Sequence, residues 1–460
     1  MKIVARLSVL ATVAATGLTL AATGAAAAPA IPAAPGAGHG AAVTSGTKLW
    51  EALYAASGRG AFSLASAVSP DGSTLFLTGG ARRKVHESGA PSAGATLAYN
   101  PATGAKLWQA NYNPGGLSTS SFSAIAVSPD SSTVFVAGTT QPKVDGPSSV
   151  VVAAYDAATG VARWTDTTAI AGEGTSIAVS PDGSAVYLTG GADTVAYSAA
   201  TGVPLWTEAL AVQAFTANVA VSPDGSTVFV RGVIGGSSNV VAAYDAATGA
   251  TAWTTTLVRI AAQSLAVSPS GAKVFVTGEF GGSPGTSGAF TRTAALNAAT
   301  GTVLWAKTSK SPNGGSYGNA VTVSPDSSTV FVTGSTTVAS KHAVGATWAF
   351  DAATGTTLWL KTLPGLANNV IAVSPDGSTV FAATGGSGFS AAQAFSTVAY
   401  DAATGAEQWF LGYHALSGSW HSFASSIEVS PDGSEVFVTG DVNTPEPGTI
   451  PTLAAVAYSS

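Results

Sequence analysis

The chain has 460 residues, no cysteine, only 9% charged residues and a net charge of −6. The missing cysteine excludes disulfides, thiolate metal sites and a cysteine nucleophile. The acidic balance excludes the dense basic surface that nucleic acid requires.

Lys2 and Arg6 precede an apolar stretch from Leu7 to Ala22, and alanines from Ala25 to Ala28 follow. A positive start, an apolar run and small residues form a secretory signal peptide, expected over residues 1–28. Residues 29–43 are rich in Ala, Pro and Gly and read as a linker. The expected location of the rest, residues 44–460, is secreted and extracellular. Beyond the N-terminus no uncharged apolar run reaches the ~18 residues a membrane span needs.

From Trp50 onward one unit recurs eight times. Its first element is Ser-Pro-(Asp/Ser)-(Gly/Ser), with prolines at Pro70, Pro129, Pro181, Pro223, Pro269, Pro325, Pro375 and Pro431. Its second ends in a tryptophan: Trp50, Trp108, Trp164, Trp206, Trp253, Trp305, Trp359 and Trp409. Each unit reads as four strands. An apolar strand such as Ile177-Ala178-Val179 runs into the turn Ser180-Pro181-Asp182-Gly183. There proline presets φ at one corner and glycine takes the left-handed one. An alternating strand follows, as in Thr227 to Val230, then a loop of variable length. The third strand, as in Val152 to Tyr155, enters the turn Asp156-Ala157-Ala158-Thr159-Gly160, and the fourth carries Trp164. Two hairpins at this repeat length make a propeller blade. The chain ends at Tyr458-Ser459-Ser460, halfway through the second element, and Ser45 to Trp50 supply the missing half. The expectation is all-β: an eight-bladed β-propeller of four antiparallel strands per blade, with the N-terminal strand closing the last blade.

The second element resembles the tryptophan-docking motif A-x-D-x-x-T-G-x-x-x-W of quinoprotein (pyrroloquinoline-quinone) alcohol dehydrogenases. It is complete in Ala154 to Trp164, Ala243 to Trp253, Ala349 to Trp359 and Ala399 to Trp409, and Asn100, Ser198 and Asn297 replace the Asp elsewhere. Segments such as Thr329 to Gly334 also resemble the Y-V-T-N surface-layer propellers. WD-repeat proteins share the turns, but the Gly-His element is missing. The quinoprotein resemblance implies pyrroloquinoline quinone and calcium as the cofactors such a site would take. It also implies two adjacent cysteines over the quinone, which this chain lacks, and no motif places the calcium ligands. The sequence therefore assigns no cofactor and no metal.

The two turn types repeat almost unchanged and belong to one face of the ring. The variable loops belong to the other, where binding residues are expected on a rigid scaffold. Distinctive loops there are 82–87, 143–145, and Tyr413-His414 with Trp420-His421. Residues that break the repeat are the candidate ligand-binding set. Three residues before the turn proline, six units have Ala, one has Thr322 and the last has Glu428. Arg231 replaces a usual Thr, and Glu173, Tyr317 and Phe423 stand eight residues before their prolines. His421 completes the set. No catalytic constellation is present: there is no nucleophile elbow, P-loop or H-E-x-x-H. The expectation is a monomeric binding scaffold for a protein, glycan or small molecule. The alternative is a quinone-dependent dehydrogenase-like or lactonase-like enzyme.

Overall fold

The computed structural model describes residues 45–54, 61–82, 92–115, 119–141, 147–171, 174–210, 215–234, 239–258, 260–281, 289–309, 315–337, 343–363, 366–386, 395–413, 423–442 and 452–460. The signal and linker segments, loops 83–87 and 143–145, Glu173, His414, Trp420 and His421 lie outside these residues.

All regular structure among the described residues is β, in strands numbered β1 to β32 along the chain. Six sheets have four strands each. The remaining sheet has eight, but β4 (Ser92–Tyr99) and β6 (Thr119–Val127) meet in it only through the parallel bridge Ser92 to Thr119. It is two four-stranded units side by side. Within each unit the strands pair antiparallel in sequence order, so both kinds of tight turn fall at one end of the sheet and the variable loops at the other. The second and third strands are covered on both faces. β11 (Ala185–Gly190) is buried at every residue, which is why it reads as a nearly unbroken apolar run.

The Ser-Pro-Asp turn is built from its own side chains. Ser180 Oγ donates to Asp182 Oδ1 at 2.6 Å and accepts from Ala185 N at 2.9 Å, and Asp182 Oδ1 accepts from Ser184 N at 3.0 Å. Gly183 takes φ 72°, where a side chain would be strained. In two units serine stands at this corner, Ser131 at φ 62° and Ser327 at φ 63°. Each compensates across to the preceding turn: Ser131 Oγ accepts from Asp71 N at 3.1 Å, and Ser327 Oγ accepts from Ser270 N at 2.9 Å.

Tryptophan joins each sheet to the next. The Trp164 ring lies 5.9 Å from Phe135 in its own sheet and 6.2 Å from Tyr197 in the following one. Its Nε1 donates to Ala199 O of that next sheet at 2.8 Å. Trp50, Trp108, Trp206, Trp253, Trp305 and Trp359 repeat the bond to Pro101, Ala157, Ala246, Ala298, Ala352 and Ala402. Trp409 is buried in the same setting, yet its Nε1 has no partner.

The first strand pairs with the last. β1 (Lys48–Tyr54) pairs antiparallel with β32 (Thr452–Ser459), which continues into β31 (Glu435–Val442) and β30 (Phe423–Val429). Trp50, Phe437 and Leu453 of this sheet pack with Leu75, Leu77 and Tyr99 of the first repeat. The turn glycines make the same passage. A Cβ on Gly183 would lie 3.4 Å from Pro129, one on Gly433 3.5 Å from Pro375, and one on Gly72 3.5 Å from Pro431.

The first strand of every unit carries a register shift that the repeat pattern did not predict. It falls between Phe122 and Ala124, between Ala262 and Ser264, between Ala424 and Ser426, and at the same place in the other five. Such a bulge leaves one residue out of the ladder and frees backbone groups.

Candidate functional site

At the turn end of the sheets the polar groups are spent on each other. Asp156 Oδ1 accepts from Thr159 N at 3.0 Å and Thr159 Oγ1 at 2.7 Å, and Asp156 Oδ2 accepts from Arg163 at 2.9 Å. The Arg163 and Thr159 bonds hold its carboxyl down at about 2. Asp182, Asp224, Asp326 and Asp376 are held below the ordinary carboxylate range by their own turn serines. These acids are anionic, but saturated.

The first strands present a different surface. Ala67, Ala126, Ala178, Ala220, Ala266, Thr322 and Ala372 are each partly exposed. Glu428 occupies the same position in β30, opposite Phe437, and is partly exposed too. Its only described hydrogen bond is from Ser426 Oγ to Oε1, at 3.2 Å. Removal from water pushes its carboxyl up to about 8, with the serine bond a small opposing influence.

Arg231, in β15 (Thr227–Val233), is 4% exposed. Its Nε donates to Asn218 Oδ1 at 2.7 Å, and its guanidinium donates to Asn239 Oδ1 at 3.0 Å, to Ala262 O, and to Gln263 O at 3.4 Å. Ala262 and Gln263 lie at the bulge of β18 (Ala261–Val267) in the next sheet. The arginine therefore caps carbonyls that the bulge releases and ties two sheets together. Burial lowers its pKa to about 10, so it stays charged at neutral pH. Tyr317 is partly exposed, near the start of β22 (Ser316–Val323), and Phe423 is 45% exposed at the start of β30. Phe423 shares the loop end of its strand with no other member of the predicted set among the described residues. Tyr413 is buried, its ring tilted by 32° against that of Phe395 at 4.7 Å.

Sequence reasoning missed a further pair. Glu279, in β19 (Lys273–Phe280), lies directly opposite Thr291 of β20 (Phe290–Asn297). The available signal was an acid one residue past the recurring Gly278, a position where most units have a small or apolar residue.

The described residues do not fit a quinone–calcium centre. The chain has no cysteine pair to cover the quinone, and no three His, Asp or Glu side chains gather among the described residues. No described helix is long and apolar enough to cross a membrane.

Among solved structures, BamB from Moraxella catarrhalis is similar over 90% of this chain and 97% of its own, at 15% identity and a TM-score of 0.53. The Dos1 propeller aligns over 90% and 95%, at 13% identity and a TM-score of 0.59. Kuenenia stuttgartiensis hydrazine synthase aligns over 68% and 91%, at 16% identity and a TM-score of 0.51. At these identities the likeness establishes the β-propeller fold and nothing about activity. No curated protein matches in sequence. Residues 148–409, more than half of the chain, match the family profile described as outer membrane protein assembly factor BamB, and the chain belongs to that family of PQQ-like repeat propellers.

Proposed function

We propose that the chain is an exported, monomeric, eight-bladed β-propeller that acts as a binding scaffold through the face made by its variable loops. Eight tryptophan-turn units, the pairing of β1 with β32 and the contact of Gly72 with Pro431 support eight blades in a closed ring. The Lys2 and Arg6 start followed by Leu7 to Ala22 supports export. One observation carries the choice of face. The turn side spends its carboxylates and serines internally, whereas the residues that break the repeat, Glu428 and Phe423 among them, lie on the inner strands or toward the loop side. The ligand is a protein, glycan or small molecule, as an assembly-factor relative would suit. Glu428, lining the ring's axis among alanines, contributes to binding.

The test is site-specific photo-crosslinking. A photoreactive residue at 423, on the loop side, should capture a discrete partner from a cell-envelope preparation, and one at 248, in a turn, should not. Capture at 248 alone, or equally at both, would overturn the assignment of the face. The enzymatic alternative is checked by adding pyrroloquinoline quinone with calcium. A stoichiometric quinone spectrum would replace the scaffold reading.

A further inference from the structure

The antiparallel register puts Glu279 and Thr291 on one face of their sheet, with Cβ atoms about 5 Å apart. Thr291 is 1% exposed, and its Oγ1 has no hydrogen-bond partner. Glu279 Oε2 is equally shut off from solvent and equally unpartnered, although the residue as a whole is partly exposed. The two oxygens are therefore buried, while part of Glu279 reaches the surface.

Several surrounding polar groups are already committed, whereas Arg292 Nε is itself buried without a partner. Thr291 N donates to Ser316 Oγ at 2.9 Å, and Ser316 Oγ donates to Ser309 O at 2.8 Å. Thr277 Oγ1 pairs with Thr293 Oγ1 at 3.0 Å. Gly318 brings β22 in without a side chain: a Cβ there would meet Thr277 Oγ1 at 2.5 Å and Thr291 Cγ2 at 3.1 Å. Arg292 belongs to the opposite face of the sheet, where its guanidinium stands 5.5 Å from the Phe280 ring. Burial raises the Glu279 carboxyl above its usual range, and among the described residues no cation offsets that rise.

Two oxygens side by side are both desolvated and both unpartnered, a carboxylate that accepts and a hydroxyl that can accept or donate. We propose that Glu279 and Thr291 bind a primary ammonium group. An ammonium carries three N–H donors and a positive charge, which matches a carboxylate and a hydroxyl in one small space. A divalent cation would need six or more oxygens, far beyond this pair. The ammonium comes either from a partner protein's lysine or from a free amine. The assignment rests on the reading of the loop side as the binding face and names the chemistry recognised there.

Calorimetric titration of the purified chain with Nα-acetyl-lysine methylamide, and separately with ethanolamine, tests it. The expected result is saturable binding of at least one amine, with none for the Nζ-acetylated lysine control. Glu279→Gln should weaken that binding at least 10-fold and Thr291→Val several-fold, with Glu407→Gln, an exposed carboxylate outside the binding set, unchanged. Binding of the lysine compound alone assigns a partner's lysine, and binding of both assigns a free amine. No saturable binding of either amine, or the same Kd in Glu279→Gln, overturns the proposal. Glu279→Gln removes a buried charge and should melt no lower than the parent, which separates lost binding from lost folding. Crosslinking at 423 reports on the loop face independently, so failure of one experiment does not imply failure of the other.

Discussion

Trp108 Nε1 donates to the carbonyl oxygen of Ala157, 49 residues further on and in the next sheet, at 2.8 Å. Below the same indole sits Gly160 at φ 71°, where an added Cβ would come within 2.6 Å of the ring. One side chain thus sets both the polar and the steric fit between neighbouring sheets, and nearly every unit repeats it.

Gly160→Ala should destabilise the fold by roughly 2–4 kcal/mol, from the left-handed backbone and the clash together. Gly115→Ala has a positive φ as well, 109°, but nothing within 4 Å of the new Cβ. It should cost only about 1 kcal/mol. Urea unfolding of the two variants measures the difference, and equal losses would remove the tryptophan seat from the account.

Trp206→Phe keeps an aromatic ring but deletes the 3.0 Å bond to Ala246 O. It should cost roughly 1 kcal/mol for the lost bond, because Ala246 O still accepts from Tyr187 OH at 3.2 Å. Trp409→Phe breaks no such bond, since its Nε1 has no partner, and should cost less. Denaturant midpoints of the pair give the comparison.

Arg231→Met should lower stability by roughly 2–4 kcal/mol, since it strands Asn218, Asn239 and the bulge carbonyls. Thermal unfolding reads the loss. An unchanged melting temperature, with ligand binding abolished, would return Arg231 to the binding set.

Glu428 gives the fold a pH dependence of definite sign. Its carboxyl ionises near 4.5 in the unfolded chain and at about 8 in the folded one. The folded state prefers the protonated form, so stability falls as pH rises from about 4.5 and levels off above about 8. Because the residue is partly exposed, the loss should be roughly 1–3 kcal/mol. The turn aspartates, whose values are lowered, titrate below this window. Denaturation at pH 5 and pH 9 should show a larger decline in the parent than in Glu428→Gln, where Glu279 and Glu435, also raised by burial, leave a remainder of the same sign.

The repeat arithmetic carried most of the architecture because each turn is specified by its own side chains. Ser180, Asp182 and Gly183 bond one another, so their spacing is visible in a single line of sequence. The bulge in each first strand left no such trace. The residue it displaces is Ser123 in one unit, Gln263 in another and Asn319 in a third, and the groups it frees are backbone. For the same reason Arg231 stood out as an exception while its partners Ala262 and Gln263 did not. Thr291 was equally hidden, because a threonine in a β-strand is unremarkable until its hydroxyl proves to be unpartnered.

Gly46 N donates to Ser459 O at 3.0 Å, and Ser459 N donates to Thr47 O at 2.9 Å, so Ser45 and Ser460 belong to one turn. Attachment at Ser460 therefore holds the sheet at the edge where Ser45 also lies. A tag or solid support joined after Ser460 would leave from the turn end of the sheet that holds β1 and β32. Phe423, exposed at the loop end of its strand, would then lie at the opposite end from the point of attachment.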